Sequence, residues 1–315
     1  MSAPLHVAAE VAEAIDRGGP VVALETTLAA HGFPAGEGAA VAVAAEQAVR
    51  ATGAVPATVG VVDGLVRVGL APDELERIAR AGPAARKTGP RDLAAAAAQR
   101  ALGATTVGGT LLAVRLAGIR VMATGGLGGV HRGFPAPPDV SADLLELART
   151  PALVVSAGVK SLLDVAATAE ALETLGVPVL GWRTDEMPRF YSARGGPPVS
   201  ARVETADEAA AIAQAHWGLG GGGLLLACPP DEGLDDIEPL IERAVAEASR
   251  AGVAGKDVTP FVLERLHAES GGATLRVNRA LILANARLAG VVATAISGRS
   301  RKPGGKAPNP PGAVN

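Results

Sequence analysis

An α/β fold with its sheet covered on both faces is what this sequence predicts, and three observations predict it. Short apolar runs of strand character alternate with alanine-rich stretches of helical character through most of the chain. The strand runs are apolar throughout and do not alternate with polar residues, as befits strands buried on both faces. From about residue 258 the pattern is helical only, through PFVLERLHAES and TLRVNRALILANARLAGVVATAI, so additional C-terminal helices should pack back on the sheet.

In chain order, VVALE (21–25) gives a first strand and the alanine-rich stretch 36–52 a helix. TVGVV (58–62) is a second strand, followed by helices at 72–81 and 90–102, the latter opened by Pro90. TTV (105–107) leads to a helix at 109–117. RVMAT (120–124) leads through a glycine-rich loop to a helix at 141–149, and ALVVS (152–156) to a helix at 159–174. PVLGW (178–182) with the helix 205–216, and GLLLA (223–227) with the helix 234–251, complete the alternation. No linker-like stretch interrupts this body, so a single α/β domain over 1–296 is expected. Residues 297–315 are rich in Gly, Pro and basic residues without apolar periodicity and read as a disordered tail.

Composition narrows the function classes. At 315 residues and 48% hydrophobic, the chain can bury a large core. Aromatics are only 2%, too few for a platform that stacks single-stranded nucleic acid, and a net charge of −3 also argues against such a partner. The lone cysteine, Cys228, excludes an intramolecular disulfide and a cysteine-based zinc cluster and fits a reducing cytoplasm. The N-terminal stretch carries acids within its apolar pattern and lacks a basic start, unlike a signal peptide. No run approaches the uninterrupted apolar length of a membrane span.

The basic residues are unevenly divided. Of 29, only Lys87, Lys160, Lys256, Lys302 and Lys306 are lysine, and the other 24 are arginine. Arginine serves ordinary surface charge but cannot become an amine nucleophile, so the rare lysines mark positions where an amine could be required. Lys160 stands in VVSAGVKSLLDV at a strand exit, expected in the first turn of the next helix. There the macrodipole would disfavour its charge and a neutral amine could add to a sugar aldehyde. An exposed i,i+4 pair with Asp164 is the structural alternative. Lys256, beside Asp257, reads as structural.

Ligands of open α/β sheets bind where strand ends give way to loops, so Glu25, Asp63, Thr124, Lys160 and Thr184 are candidates. Glu25 ends an apolar strand, where partial desolvation suits an acid or base; a capping role toward Thr26 is the alternative. MATGGLGGVHRGF does not open a helix from its glycines, as a dinucleotide site would require, though glycine N–H groups could cradle a phosphate. Asp139, Ser141 and Asp143 lie at a helix start, where their oxygens could ligate a hard cation or simply cap the helix. Lys87 and Arg91 flank a proline-initiated helix and form either an anion site or a solvated basic loop.

The stretches ALETTLAAHGFP, PATVGVVDGLVRVGL, ARKTGPRDL, GATTVGGTL, ATGGLGGVHRG, DVSADL, VVSAGVKSLLD, ETLGVPVLGW and GKDVTPFVLERL together resemble the pseudouridine-5′-phosphate glycosidase family, also called indigoidine synthase A-like. The resemblance spans roughly residues 5 to 290. It implies a three-layer α/β/α sandwich assembled as a homotrimer. It also implies reversible hydrolysis of the C–C glycosidic bond of pseudouridine 5′-phosphate to uracil and ribose 5-phosphate. It gives Lys160 as the Schiff-base nucleophile, Glu25 as the proton donor and Asp139 as the position of one divalent manganese per subunit. It gives Lys87, Val107, Ser141, Ala142 and Asp143 as substrate contacts, with Thr124 and His131 in the pocket and Asn278 toward uracil. ACPP at 227–230 departs from the family's usual asparagine before the first proline, and Cys228 cannot replace an amide's paired donor and acceptor. A Schiff-base aldolase for sugar phosphates and a non-catalytic sugar-phosphate-binding module are the competing readings.

Overall fold

Every residue of the runs Val21–Leu24, Leu153–Ser156 and Leu224–Ala227 is out of solvent, which requires cover on both faces of the sheet they form. A computed structural model describes residues 4–34, 36–133, 139–253 and 258–300. In chain order its elements begin with β1 (Leu5–Val7), α1 (Ala9–Asp16), β2 (Val21–Leu24), α2 (Thr27–His31), α3 (Gly38–Arg50), β3 (Val55–Val62), β4 (Leu65–Val68) and α4 (Pro72–Ala81). There follow β5 (Arg86–Thr88), α5 (Leu93–Ala98), β6 (Gly103–Thr105), α6 (Val107–Ala117), β7 (Val121–Ala123), β8 (Val130–His131), α7 (Ala142–Arg149) and β9 (Leu153–Ser156). The chain continues through β10 (Leu163–Asp164), α8 (Val165–Thr174), β11 (Val179–Trp182), β12 (Ala201–Val203), α9 (Ala206–Gly218), β13 (Leu224–Ala227), α10 (Glu238–Arg250), α11 (Val258–Glu269) and α12 (Ala273–Ser300).

The main sheet runs β1-β4-β3-β2-β7-β9-β13-β11-β12, with β6 and then β5 branching from β3. From β3 across to β12 every neighbouring pair on this path is parallel. Helix α12 lies over β2, β7 and β9 with α3 and α9 beside it, while α6 packs on α7 and against β2, β3 and β4. The expected three layers are therefore present. From β2 the chain passes to β3 on one side, and from β7 it passes to β9 on the other. The connections diverge between β2 and β7, and such a divergence opens a crevice at the carboxyl ends of the strands.

Six of the seven apolar runs became strands; of TTV (105–107) only Thr105 lies in a strand, the last residue of β6, while Thr106 caps α6 and Val107 begins it, and several short elements carry no such signal. β4 pairs antiparallel with β3 across Asp63-Gly64, whose φ values of 52° and 89° make the tight turn of a two-residue hairpin. Asp63 is thus a turn residue, ion-paired with Arg77 at 3.2 Å, and not part of a site. The helix expected over 90–102 spans only Leu93–Ala98. That expected over 159–174 starts at Val165, with the Asp164 carboxylate accepting the Ala167 N–H at 2.9 Å as its cap. Residues 297–300, expected in the tail, are the last residues of α12; residues 301–315 and Lys256 lie outside the described residues. By length and apolarity Ala273–Arg299 would suffice to cross a bilayer. Here Val277, Leu281, Ala286, Ala289, Val292 and Ile296 form a buried stripe that covers the sheet instead.

Leu226 of β13 is wholly buried between the helical layers. Leu226→Ala should therefore destabilise the fold by about 3 kcal/mol through lost burial and a residual cavity, read from the urea unfolding midpoint.

Candidate active site

Register decides where the site forms. Leu24, Ala123 and Val155 stand abreast on β2, β7 and β9, so the residues that follow leave the sheet side by side. Glu25 follows β2 and Thr124 follows β7, with the Thr124 N–H still bonded to the Val155 carbonyl at 3.0 Å. Past β9, Gly158 takes a φ of 81°, and a side chain there would collide with the Pro188 carbonyl. The glycine turns the chain so that Lys160 N–H reaches the Leu127 carbonyl at 3.0 Å while Leu127 N–H reaches that of Gly158 at 2.9 Å. The lysine turn is thereby stitched to the glycine-rich loop. Lys160 stands upstream of α8 rather than in its first turn, so the helix-end argument for its charge does not apply. Asp164 caps the helix and makes no ion pair with Lys160 among the described residues.

The cavity at these strand ends gathers Glu25, Lys87, Thr124, Lys160 and Asn278. Glu25, Thr124 and Asn278 are buried, while Lys87 and Lys160 are half-buried. The two Glu25 carboxylate oxygens accept from the hydroxyls of Thr124 and Thr27, which replaces the expected cap toward Thr26; the Thr26 hydroxyl instead donates to Val59 O at 2.7 Å. Leu28, Leu162, Leu263 and Ile282 make the walls apolar, and Phe190 closes one side. Phe190 holds a φ of 63°, costly for a bulky residue, and its ring fills the space a side chain at Gly126 would need, next to the Lys160 stem.

The remaining sequence candidates lie around this cavity, not on its wall. Val107 is fully buried as the first residue of α6, and its neighbour Thr106 lines the cavity. Ser141 caps α7, accepting the Asp143 N–H at 3.2 Å, with Ala142 exposed beside it. The Asp143 carboxylate is buried and accepts N–H groups from Gly108 at 2.7 Å and Gly128 at 3.0 Å, so it clamps the glycine-rich loop to α6. No glycine from 125 to 129 has a positive φ, and Gly128 N–H is engaged by Asp143, while Gly125 and Gly126 line the cavity. The loop's glycines are there because Phe190, Ser141 and Asp143 crowd it. Arg91 is exposed and Thr184 bonds within its own turn, to Glu186 O at 3.0 Å; both stand apart.

His131 Nδ1 lies 3.7 Å from Asp139 Oδ2. Burial lowers the imidazole pKa most, Asp139 raises it, and the charges of Lys87 and Lys160 lower it further, which puts this corner within electrostatic reach of the cavity. No three His, Cys, Asp or Glu side chains gather as a cation cage among the described residues. Asp139 offers one partly exposed carboxylate, a donor set that fits a hard divalent ion keeping most of its waters. Cys228 is buried at the end of β13, its thiol pKa pushed up by burial, far from nucleophilic use. The sequence reading missed Thr27, His31, Thr106, Ser161, Phe190 and Ile282, all on the cavity wall.

The profile described as indigoidine synthase A like protein matches residues 10–295. A Nocardioides sp. strain JS614 protein named pseudouridine-5′-phosphate glycosidase is 47% identical over 306 residues, covering 95% of this chain and 99% of the relative. One of the same name from Roseiflexus sp. strain RS-1 is 50% identical over 305 residues, covering 93% and 96%. Among solved structures, the prealnumycin C-glycosynthase AlnA in complex with ribulose 5-phosphate superposes with a TM-score of 0.86 at 41% identity, covering 94% of this chain and 98% of that one. An indigoidine synthase A-like protein of Thermotoga maritima gives 0.84 at 37% identity, with the same coverage.

Asp143→Asn keeps the shape of the loop clamp but turns one acceptor into a donor facing a backbone N–H. A loss of about 1–3 kcal/mol in unfolding free energy is expected, measured by urea titration.

Proposed function

The chain belongs to the indigoidine synthase A like protein family, and from that premise we propose that it is an enzyme that cleaves the C–C glycosidic bond of pseudouridine 5′-phosphate with water, reversibly, giving uracil and ribose 5-phosphate. The observation that carries the reading is the meeting of a rare lysine, Lys160, and a buried carboxyl, Glu25, in one cavity at the divergence of the sheet. A C–C glycosidic bond has no leaving oxygen to protonate, so two carboxylates alone serve it poorly. An amine that makes an imine with the sugar supplies the electron sink.

In this mechanism the C1′–O4′ bond breaks, O4′ takes a proton from Glu25, and the Lys160 amine bonds to C1′ and returns a proton to the carboxylate. The nitrogen lone pair then forms C1′=N as the C1′–C5 bond breaks; the electrons of that bond pass to uracil C5, which Glu25 protonates. Water adds to the imine, the C1′–N bond breaks, and ribose 5-phosphate leaves with the lysine amine restored. Lys87 supplies the charge for the phosphate. The Asn278 amide, with its paired donor and acceptor, suits the edge of uracil. The apolar wall and the Phe190 ring exclude water from the imine until uracil has left. Asp139 would hold one manganese with water ligands, and its charge would help to orient substrate oxygens. In reverse, uracil and ribose 5-phosphate condense with loss of water, the reaction of a carbon–oxygen hydro-lyase, and the assembly in this reading is a homotrimer.

Uracil release from pseudouridine 5′-phosphate tests the function. Wild type should release uracil and Lys160→Ala should be at least about a hundredfold slower; chelation should depress the rate and manganese restore it. A sugar-phosphate aldolase would leave pseudouridine 5′-phosphate intact, and a non-catalytic binding module would turn over nothing.

A further inference from the structure

We propose that Thr27 is a positioning residue for Glu25, the second half of a two-hydroxyl clamp whose first half, Thr124, is itself anchored by Asn285. The proposal rests on the reading of Glu25 as the proton-transferring group.

Glu25 is buried, with 4% of its surface exposed, yet no arginine, lysine or histidine pairs with it among the described residues. Its carboxylate is instead spanned by neutral donors from two different elements. Thr27 Oγ, from the first residue of α2, donates to Oε2, and Thr124 Oγ, from the end of β7, donates to Oε1. With one hydroxyl on each oxygen, the plane of the carboxylate is fixed and one lone pair on each oxygen stays open to the cavity. Thr124 in turn is not left to its loop. Asn285, buried on α12, donates its amide to the Thr124 carbonyl at 2.9 Å. The long C-terminal helix therefore holds one jaw of the clamp, and α2 the other.

The chemistry explains why the donors are hydroxyls. A buried carboxyl that must give and take protons cannot be locked to a permanent cation, which would hold it ionised. Neutral hydroxyls orient it and can rotate between donating and accepting as its protonation changes. Lys160, which must be available as an amine, lines the same cavity. Val at position 27 would keep the β-branched shape of Thr and remove only the hydroxyl.

Steady-state uracil release and thermal melting of wild type, Thr27→Val and Thr27→Ser give the test. The clamp predicts kcat roughly tenfold to a hundredfold lower in Thr27→Val with KM within about threefold, and kcat within about threefold of wild type in Thr27→Ser, since orientation is lost in one and kept in the other. Should Thr27→Val fail to fold, Thr27→Ala, which strains nothing, is judged by the same kcat and KM. A valine or alanine variant with wild-type kcat, or one whose loss lies wholly in KM, overturns the clamp. A wild-type enzyme that releases no uracil overturns the proposed function instead, and the clamp falls with it.

Discussion

The parallel register of three central strands is the constraint on which the rest depends. Because Leu24, Ala123 and Val155 are abreast, Glu25 and Thr124 and the turn carrying Lys160 emerge at one edge of the sheet. A slip of one residue in β2 would turn Glu25 to the opposite face and leave the cavity without its carboxyl. The register is enforced by burial. Every residue of these three strands is buried, so a slipped strand finds no solvent-facing side to tolerate the mismatch.

Beyond the strands, the site is shaped by backbone more than by charge. The lysine turn is held by reciprocal main-chain bonds with the glycine-rich loop, the loop by Asp143 and the mini-sheet of β8 and β10. Glycines at 126 and 128 let Phe190 and Asp143 close on that loop, and Gly158 lets the chain turn under Pro188. Phe190 accepts a left-handed backbone to complete the wall. A soft, mobile segment could not keep an amine and a carboxyl in one small space without letting them pair. Here neutral hydroxyls restrain the carboxyl and hydrogen-bonded main chain restrains the lysine.

Much of this was legible in the sequence because burial leaves a direct trace in it. Unbroken apolar runs marked six of the long-range strands, and the scarcity of lysine singled out Lys160 against a background of arginine. What the sequence hid was set by contacts between distant segments. β12, β5 and β10 are too short to show a period, and the signal for β4 is an Asp-Gly turn whose aspartate, at a strand end, also resembles a site residue. Asp143 looks like a ligand in DVSADL, and only its two glycine N–H partners, remote in sequence, reveal a clamp. Thr27 stands two residues from Glu25 in LETTL with nothing to separate it from Thr26, which points away to Val59. Phe190 carried a signal that could have been used, being one of only four phenylalanines in the chain.

The claim that Lys160 acts as an amine on the sugar is tested most directly by reductive trapping. Incubation with ribose 5-phosphate and borohydride, followed by peptide mapping, should place a single reduced sugar-phosphate adduct on Lys160, and none should form in Lys160→Ala. An adduct on Lys87 instead, or no adduct in an enzyme that releases uracil, would contradict the account.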